Sequence, residues 1–205
     1  MAVVGIDFGL QTCYVALQQT DGDVKVVEDE SGSRNTPPYV HFKRKSRLIG
    51  KAAKDLVKNE NTICEWKNFT GLSHDDSRLA EEEKVVLYKV EKSGDLIEFK
   101  VDCRKRGFTT DQITAMMFAK LQEIALKNCE QKEMNCVISV SIFDCNFLSE
   151  DIMRLKAEDK RKLFEIFLTL ENFSSMNNIT LKIGCKCCFK RLPMLESNPN
   201  LGSPG

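Results

Sequence analysis

The residues best placed for chemistry lie in Val3–Leu17. An apolar run ends in Asp7, Gly9 supplies a bend, and a second alternating run follows. A strand that delivers a carboxylate into a glycine turn suits a phosphate and its metal ion. Backbone N–H groups of the turn can point at the anion, and the carboxylate can hold hydrated Mg²⁺. A buried hairpin that merely contains Asp and Gly has the same pattern. Cys185, Cys187 and Cys188 form the other cluster of reactive types. No second pair or nearby His completes a zinc set, since His41 and His74 are far away in sequence. Cys13, Cys64, Cys103, Cys129, Cys136 and Cys145 are scattered singly, and the nine cysteines read as reduced thiols.

The chain of 205 residues has room for one domain with a core, or a domain and a tail. It is 42% hydrophobic and 29% charged, with a formal net charge of zero. No global field favours nucleic acid or an anionic membrane, so neither is expected as a partner unless a local patch supplies the charge. No apolar run approaches the roughly 18–20 residues of a membrane span. Asp7 interrupts the first apolar run and no basic segment precedes it, which argues against a secretory signal.

The elements that would position the Asp7–Gly9 corner follow from pattern. Val3–Phe8, Cys13–Gln18 and Val24–Val27 read as an antiparallel meander with a turn at Thr20–Asp23. Thr36-Pro37-Pro38 enforces extended backbone before a short strand, Tyr39–Phe42. The basic run Lys43–Arg47 reads as a solvated hairpin tip, or alternatively as a nuclear address or a patch for an acidic partner. Lys51–Val57 has helical spacing, Ile63, Trp66 and Phe69 can line one face, and Thr70–Glu83 is polar and loop-like. Val85–Val90 and Leu96–Val101 flank a Ser-Gly-Asp turn as a β-hairpin. Thr109 to Gln112 has capping-box spacing. It opens a helix whose Ile113, Met116, Met117, Leu121, Ile124 and Ala125 recur at three- and four-residue steps. Cys136–Phe143 is a continuous apolar run, expected as a buried strand that puts an α/β layer behind the meander. Beyond it, a helix over Ser149–Leu170 and a strand over Ile179–Ile183 would form a βαβ crossover, or else a foreign tail. Met194–Gly205 reads as disordered.

This order of elements, with its residues, resembles the ATPase domain of the seventy-kilodalton heat-shock chaperone family, and within it the hundred-and-ten-kilodalton branch. The resemblance is carried by Val4–Ala16, Arg34–Pro37, Ile49–Lys54 and Phe108–Met116, and extended by Asn61–Phe69 and Cys136–Val140. It implies an α/β fold: one lobe of the actin-like (ribonuclease-H-like) ATPase fold, a mixed sheet with packed helices. Residues 1–143 would be that lobe, with an inserted subdomain at about 40–108. Residues 144–190 would be a divergent completion and 191–205 a tail.

The resemblance also implies roles. Asp7 looks like the carboxylate that positions Mg²⁺ through water. Gly9, Leu10 and Gln11 look like the first phosphate loop, acting through backbone N–H groups. Lys67 looks like the catalytic lysine that helps hold the γ-phosphate and the attacking water; without the resemblance it would read as an exposed helix lysine. The implied cofactors are ATP or ADP and Mg²⁺. The implied partners are heat-shock chaperones or cochaperones, in the cytoplasm, with the nucleus as a second address.

Some residues depart from the family pattern. Leu10 and Gln11 stand where the main branch has two threonines, and Leu10 has no hydroxyl to give a phosphate. Ser141 replaces a proline. No second phosphate loop of the Asp-x-Gly-Gly-Gly type occurs in the 205 residues. The expectation is therefore weak or absent ATP binding and no meaningful hydrolysis by this chain alone. A non-enzymatic module that binds a chaperone or cochaperone is the alternative. A different actin-like ATPase or sugar kinase would share the Asp-x-Gly corner but not the other matching stretches.

Overall fold

The computed structural model describes residues 2–19, 21–70, 72, 75–94, 96–104, 107–130, 134–141 and 176–184, with the backbone alone for 134, 140–141 and 176–184. Strands β1 (Ala2–Phe8) and β2 (Cys13–Gln18) pair antiparallel, with Phe8 opposite Cys13 and Val4 opposite Leu17. Val4, Ile6, Phe8, Cys13, Val15 and Leu17 are buried, and the residues between them in each strand are more open. That alternation is what a period of two demands of a sheet with one face on the core. Strand β3 (Val24–Val26) adds a third, exposed ribbon against β2.

Strands β4 (Val40–Phe42) and β5 (Arg47–Ile49) form a hairpin whose tip is the basic run. Helix α1 (Lys51–Lys54) is a single turn, shorter than the Lys51–Val57 segment expected. The helix buries Ala53, and the chain goes on in hydrogen-bonded turns that leave Leu56 and Val57 each 37% exposed. Strand β6 (Thr62–Ile63) pairs with β4, and a 3₁₀ turn follows at Trp66–Phe69. The polar stretch expected as loop contains helix α2 (Leu79–Glu83), held by one buried side chain, Leu79. Strands β7 (Lys89–Ser93), β8 (Leu96–Lys100) and β9 (Phe108–Thr109) make a second three-stranded sheet. β7 begins later than expected because Val85 and Leu87 face solvent, 66% and 58% exposed.

Helix α3 (Thr110–Lys127) starts at a complete capping box. Thr109 Oγ1 accepts from the Gln112 N–H at 3.3 Å, and Gln112 Oε1 accepts from the Thr109 N–H at 3.2 Å. Such a cap contributes about 1 kcal/mol. The helix buries Ile113, Met117, Phe118, Leu121, Ile124 and Ala125, while Met116 is only half-buried. Phe118 stacks on Phe8 with ring centroids 4.3 Å apart, so the helix covers the strand that ends in the glycine corner.

Strand β10 (Met134–Ser141) runs parallel to β1, and β11 (Met176–Gly184) runs parallel to β10. The sheet order is β11-β10-β1-β2-β3, so β1 is central and its end is flanked on both sides. The expected Ser149–Leu170 helix and Met194–Gly205 tail lie outside the described residues, as do His74 and the Cys185–Cys188 cluster. Among the described residues no helix is long and apolar enough to cross a membrane.

Candidate functional site

β1 ends at Phe8, and residues 9–12 turn the chain into β2. The turn is tight. A Cβ built on Gly9 would lie 2.5 Å from the Thr12 carbonyl oxygen, well inside contact distance, so only glycine closes it without distortion. The backbone N–H groups of Leu10 and Gln11 donate no hydrogen bond within the described residues. Thr12 Oγ1 is buried and has no hydrogen-bond partner among the described residues.

Lys67 comes to this turn from the 3₁₀ segment. Trp66 and Phe69 are buried, which anchors the segment and sends Lys67 back towards the sheet. The indole Nε1 of Trp66 donates to Thr114 Oγ1 on α3 at 3.1 Å. Glu65, just before the turn, has φ 54°, a left-handed conformation that few non-glycine residues adopt. The Lys67 ammonium donates to the Gly9 carbonyl. It lies 3.4 Å from the Phe8 ring centroid and 3.9 Å from Cys13 Sγ. The Cys13 thiol in turn reaches the Gly9 carbonyl at 3.7 Å.

The structure therefore joins Lys67 to Gly9 across 58 residues. Lys67 is not an exposed helix lysine. Asp7 alternates to the face of β1 opposite Phe8, and its carboxylate accepts no hydrogen bond and makes no ion pair among the described residues. Its charge reaches Lys67 and Cys13 through space. Leu10 is half-buried and Gln11 exposed, and neither side chain makes a hydrogen bond among the described residues. Cys13 and Phe8 were not anticipated as neighbours of the lysine. Their only trace in the sequence is that both fall on the buried parity of their strands.

Burial pushes the Lys67 ammonium down to about 8, against the partial help of Cys13 and Asp7. Burial pushes the Cys13 thiol up to about 11 despite the lysine beside it, so the pair is ammonium and thiol rather than an ion pair at neutral pH. Below pH 8 the lysine is charged in both folded and unfolded chains, and the cost of burying it is fully present. Between about 8 and the ordinary value of 10.5 the folded chain binds fewer protons, so this group makes stability rise with pH. Cys13 works the other way from 9.0 towards about 11. Comparison with Lys67→Met isolates the lysine. Urea unfolding at about pH 7.5 and about pH 9 should show the parent chain gaining stability relative to the variant. Equal changes in both would show that the ammonium is not desolvated.

Among the described residues, a carboxylate without a hydrogen bond, two undonated backbone N–H groups, a hydroxyl without a partner and an ammonium without an ion pair lie at or next to one glycine turn. This donor set fits a phosphate with a hydrated divalent cation: Asp7 for the cation through water, the Leu10 and Gln11 N–H groups and Lys67 for the anion. No group of three or more His, Cys, Asp or Glu among the described residues could bind a metal directly.

A family model described as Hsp70 protein matches residues 3–145. The chain is 37% identical over 148 residues to heat shock 70 kDa protein 4 of Homo sapiens, covering 70% of this chain and 18% of that protein. It is 34% identical over 148 residues to heat shock 70 kDa protein 14 of Arabidopsis thaliana, with the same coverage. It is 33% identical over 150 residues to heat shock 70 kDa protein 4L of Homo sapiens, again covering 70% and 18%. The chain thus spans about 18% of the length of the curated relatives it matches.

Proposed function

Because this chain belongs to the Hsp70 protein family, with the actin-like ATPase fold that membership implies, we propose that the Asp7–Gly9–Lys67 corner is one wall of an ATP–Mg²⁺ site. The lobe that carries it belongs to a chaperone of the nucleotide-exchange branch and serves ATP-dependent protein folding. The observation that carries this reading is the Lys67 ammonium held at the Gly9 carbonyl, within electrostatic reach of the Asp7 carboxylate. Bound Mg²⁺ would neutralise charge on phosphate oxygens. Asp7 would hold its water shell, Leu10 and Gln11 would present N–H groups, and Lys67 would place a positive charge at the terminal phosphate.

The corner is half of what a nucleotide needs. The 205 residues hold no second glycine-rich phosphate loop. Each 1.4 kcal/mol of missing contact costs about tenfold in affinity. This chain alone is expected to bind Mg-ATP with Kd weaker than about 100 µM, and to show no thermal shift at micromolar nucleotide. Residual binding should be lost in Asp7→Asn. Micromolar binding by radiolabelled ATP would overturn the half-site reading, and binding unaffected by Asp7→Asn would overturn the assignment of the corner. A second reading, a non-catalytic module for another chaperone or cochaperone, is favoured by Leu10, which has no hydroxyl for a phosphate. Pull-down of a full-length chaperone by this chain tests it.

A further inference from the structure

The basic hairpin tip is not absorbed by the nucleotide corner. Lys43, Arg44, Lys45 and Arg47 are all exposed on the β4–β5 hairpin. The Lys43 N–H donates to the Ser46 carbonyl at 2.9 Å, so the run is a closed turn and not an extended address. Arg104 returns to the same turn from 58 residues away, its Nη2 donating to the Ser46 carbonyl at 3.5 Å. Cys103 fixes that approach. Its N–H donates to Asn61 Oδ1 at 3.1 Å and its thiol to the Phe42 carbonyl at 3.4 Å. Arg104 Nε is buried without a hydrogen-bond partner among the described residues. None of these five cations forms an ion pair among the described residues, whereas Arg34, Arg78, Lys84, Lys100 and Lys120 all do. In a chain of zero net charge, this is a concentrated patch, uncompensated among the described residues.

Arg47 also lines a cleft of about 290 Å³ whose other walls include Leu48, Ile49, Ala52, Met116 and Ala119. Of its remaining charges, Lys120 Nζ is shared by two carboxylates, reaching Glu30 at 2.6 Å and Glu123 at 3.3 Å, so Arg47 brings the cleft to balance. The cleft shares no residue with the Asp7–Lys67 corner. Arg47 thus belongs both to the basic hairpin and to a cleft whose walls are part aliphatic and part charged.

We propose that this face docks an acidic peptide segment with an aliphatic anchor. Its carboxylates lie against Lys43, Arg44, Lys45 and Arg104, its apolar side chain enters the cleft, and Arg47 joins the two. Guanidinium groups match carboxylates with paired hydrogen bonds. A nucleic acid fits less well. The aromatic rings beside the patch, Phe42 and Phe108, stack on each other at 4.3 Å and offer no platform for a base. Nor does a nucleic acid carry an aliphatic side chain for the cleft.

The test is fluorescence anisotropy of the full chain with a labelled peptide of about twelve residues, glutamates around one central leucine. Saturable binding that weakens with salt is expected. Lys43→Glu/Arg44→Glu/Lys45→Glu should weaken it about tenfold or more. Ala119→Leu fills the cleft and leaves the charges. It should weaken the leucine peptide but not its leucine-to-glycine counterpart, with circular dichroism showing each variant folded. Should Ala119→Leu fail to fold, tighter binding of the leucine peptide than of the glycine peptide carries the anchor by itself. Absent or charge-independent binding, equal binding of the two peptides, or tighter binding of single-stranded RNA or phosphatidylserine vesicles overturns the proposal.

Discussion

Trp66→Ala is expected to remove about 3–5 kcal/mol of stability. Trp66 is fully buried and is the sole tryptophan of the chain. Its ring fills the space between the 3₁₀ turn and α3, and its indole N–H is bonded to the buried Thr114 hydroxyl. Alanine would leave both a cavity and an unpaired hydroxyl, and an unpaired buried polar group alone costs about 1–3 kcal/mol. Since small domains are stable by only about 5–15 kcal/mol, the variant sits near the edge of folding. Urea titration followed by circular dichroism measures the loss, because the tryptophan fluorescence disappears with the residue. Trp66→Phe separates the two contributions: it keeps most of the packing and gives up only the hydrogen bond. The same substitution reports on the site. Lys67 follows Trp66 directly, and its place on Phe8 depends on that anchor. Where Trp66→Ala still folds, the rise in stability above pH 8 assigned to Lys67 should shrink. A variant that loses less than about 1 kcal/mol and keeps that rise would show that the turn is positioned by something other than the indole.

How much of this was legible in the sequence depends on the range of the interaction that decides each feature. β1 and β2 were readable because burial of one face imposes a period of two on Val4, Ile6, Phe8 and on Cys13, Val15, Leu17. The start of α3 was readable because a capping box is a four-residue contact, Thr109 to Gln112. α2 was hidden because a single apolar residue, Leu79, holds it, and one position carries no period. The start of β7 was misplaced for the opposite reason. Val85 and Leu87 have strand-like chemistry, yet β7 pairs with β8 only from Lys89 onwards. The site shows the same division. Asp7 and Gly9 could be picked out locally, and the family resemblance added Lys67. What the lysine touches could not be read, since its ammonium meets Gly9, Phe8 and Cys13 only once the 3₁₀ turn is packed on α3. The convergence of Arg104 on the basic hairpin is likewise a tertiary event, set by the Cys103 contacts with Asn61 and Phe42.

Gly9→Ala tests whether the corner is shaped by backbone contact rather than by any side chain. The added Cβ would meet the Thr12 carbonyl oxygen at 2.5 Å and its carbon at 3.7 Å. The obstacle is main chain, so no rotamer change relieves it, and the turn between β1 and β2 must open. A cost of about 1–3 kcal/mol is expected, the usual range for forced overpacking. Gly5→Ala is the internal control. It lies on the same strand, and its Cβ would meet Ala16 only at 3.9 Å or beyond, an ordinary contact, so it should be close to neutral. The consequence for the site is larger than the energy suggests. The Gly9 carbonyl is the acceptor for the Lys67 ammonium and lies against the Cys13 thiol. Opening the turn moves that acceptor and admits water to the lysine, whose lowered proton affinity comes chiefly from burial. The ammonium in Gly9→Ala should therefore titrate closer to 10.5 than to about 8. Reaction of Lys67 with an amine-selective reagent across pH, read by mass spectrometry of the peptide that contains it, gives that midpoint directly. An unchanged midpoint, with Gly9→Ala as stable as Gly5→Ala, would mean that the turn has slack and that glycine is not what sets the geometry of the corner.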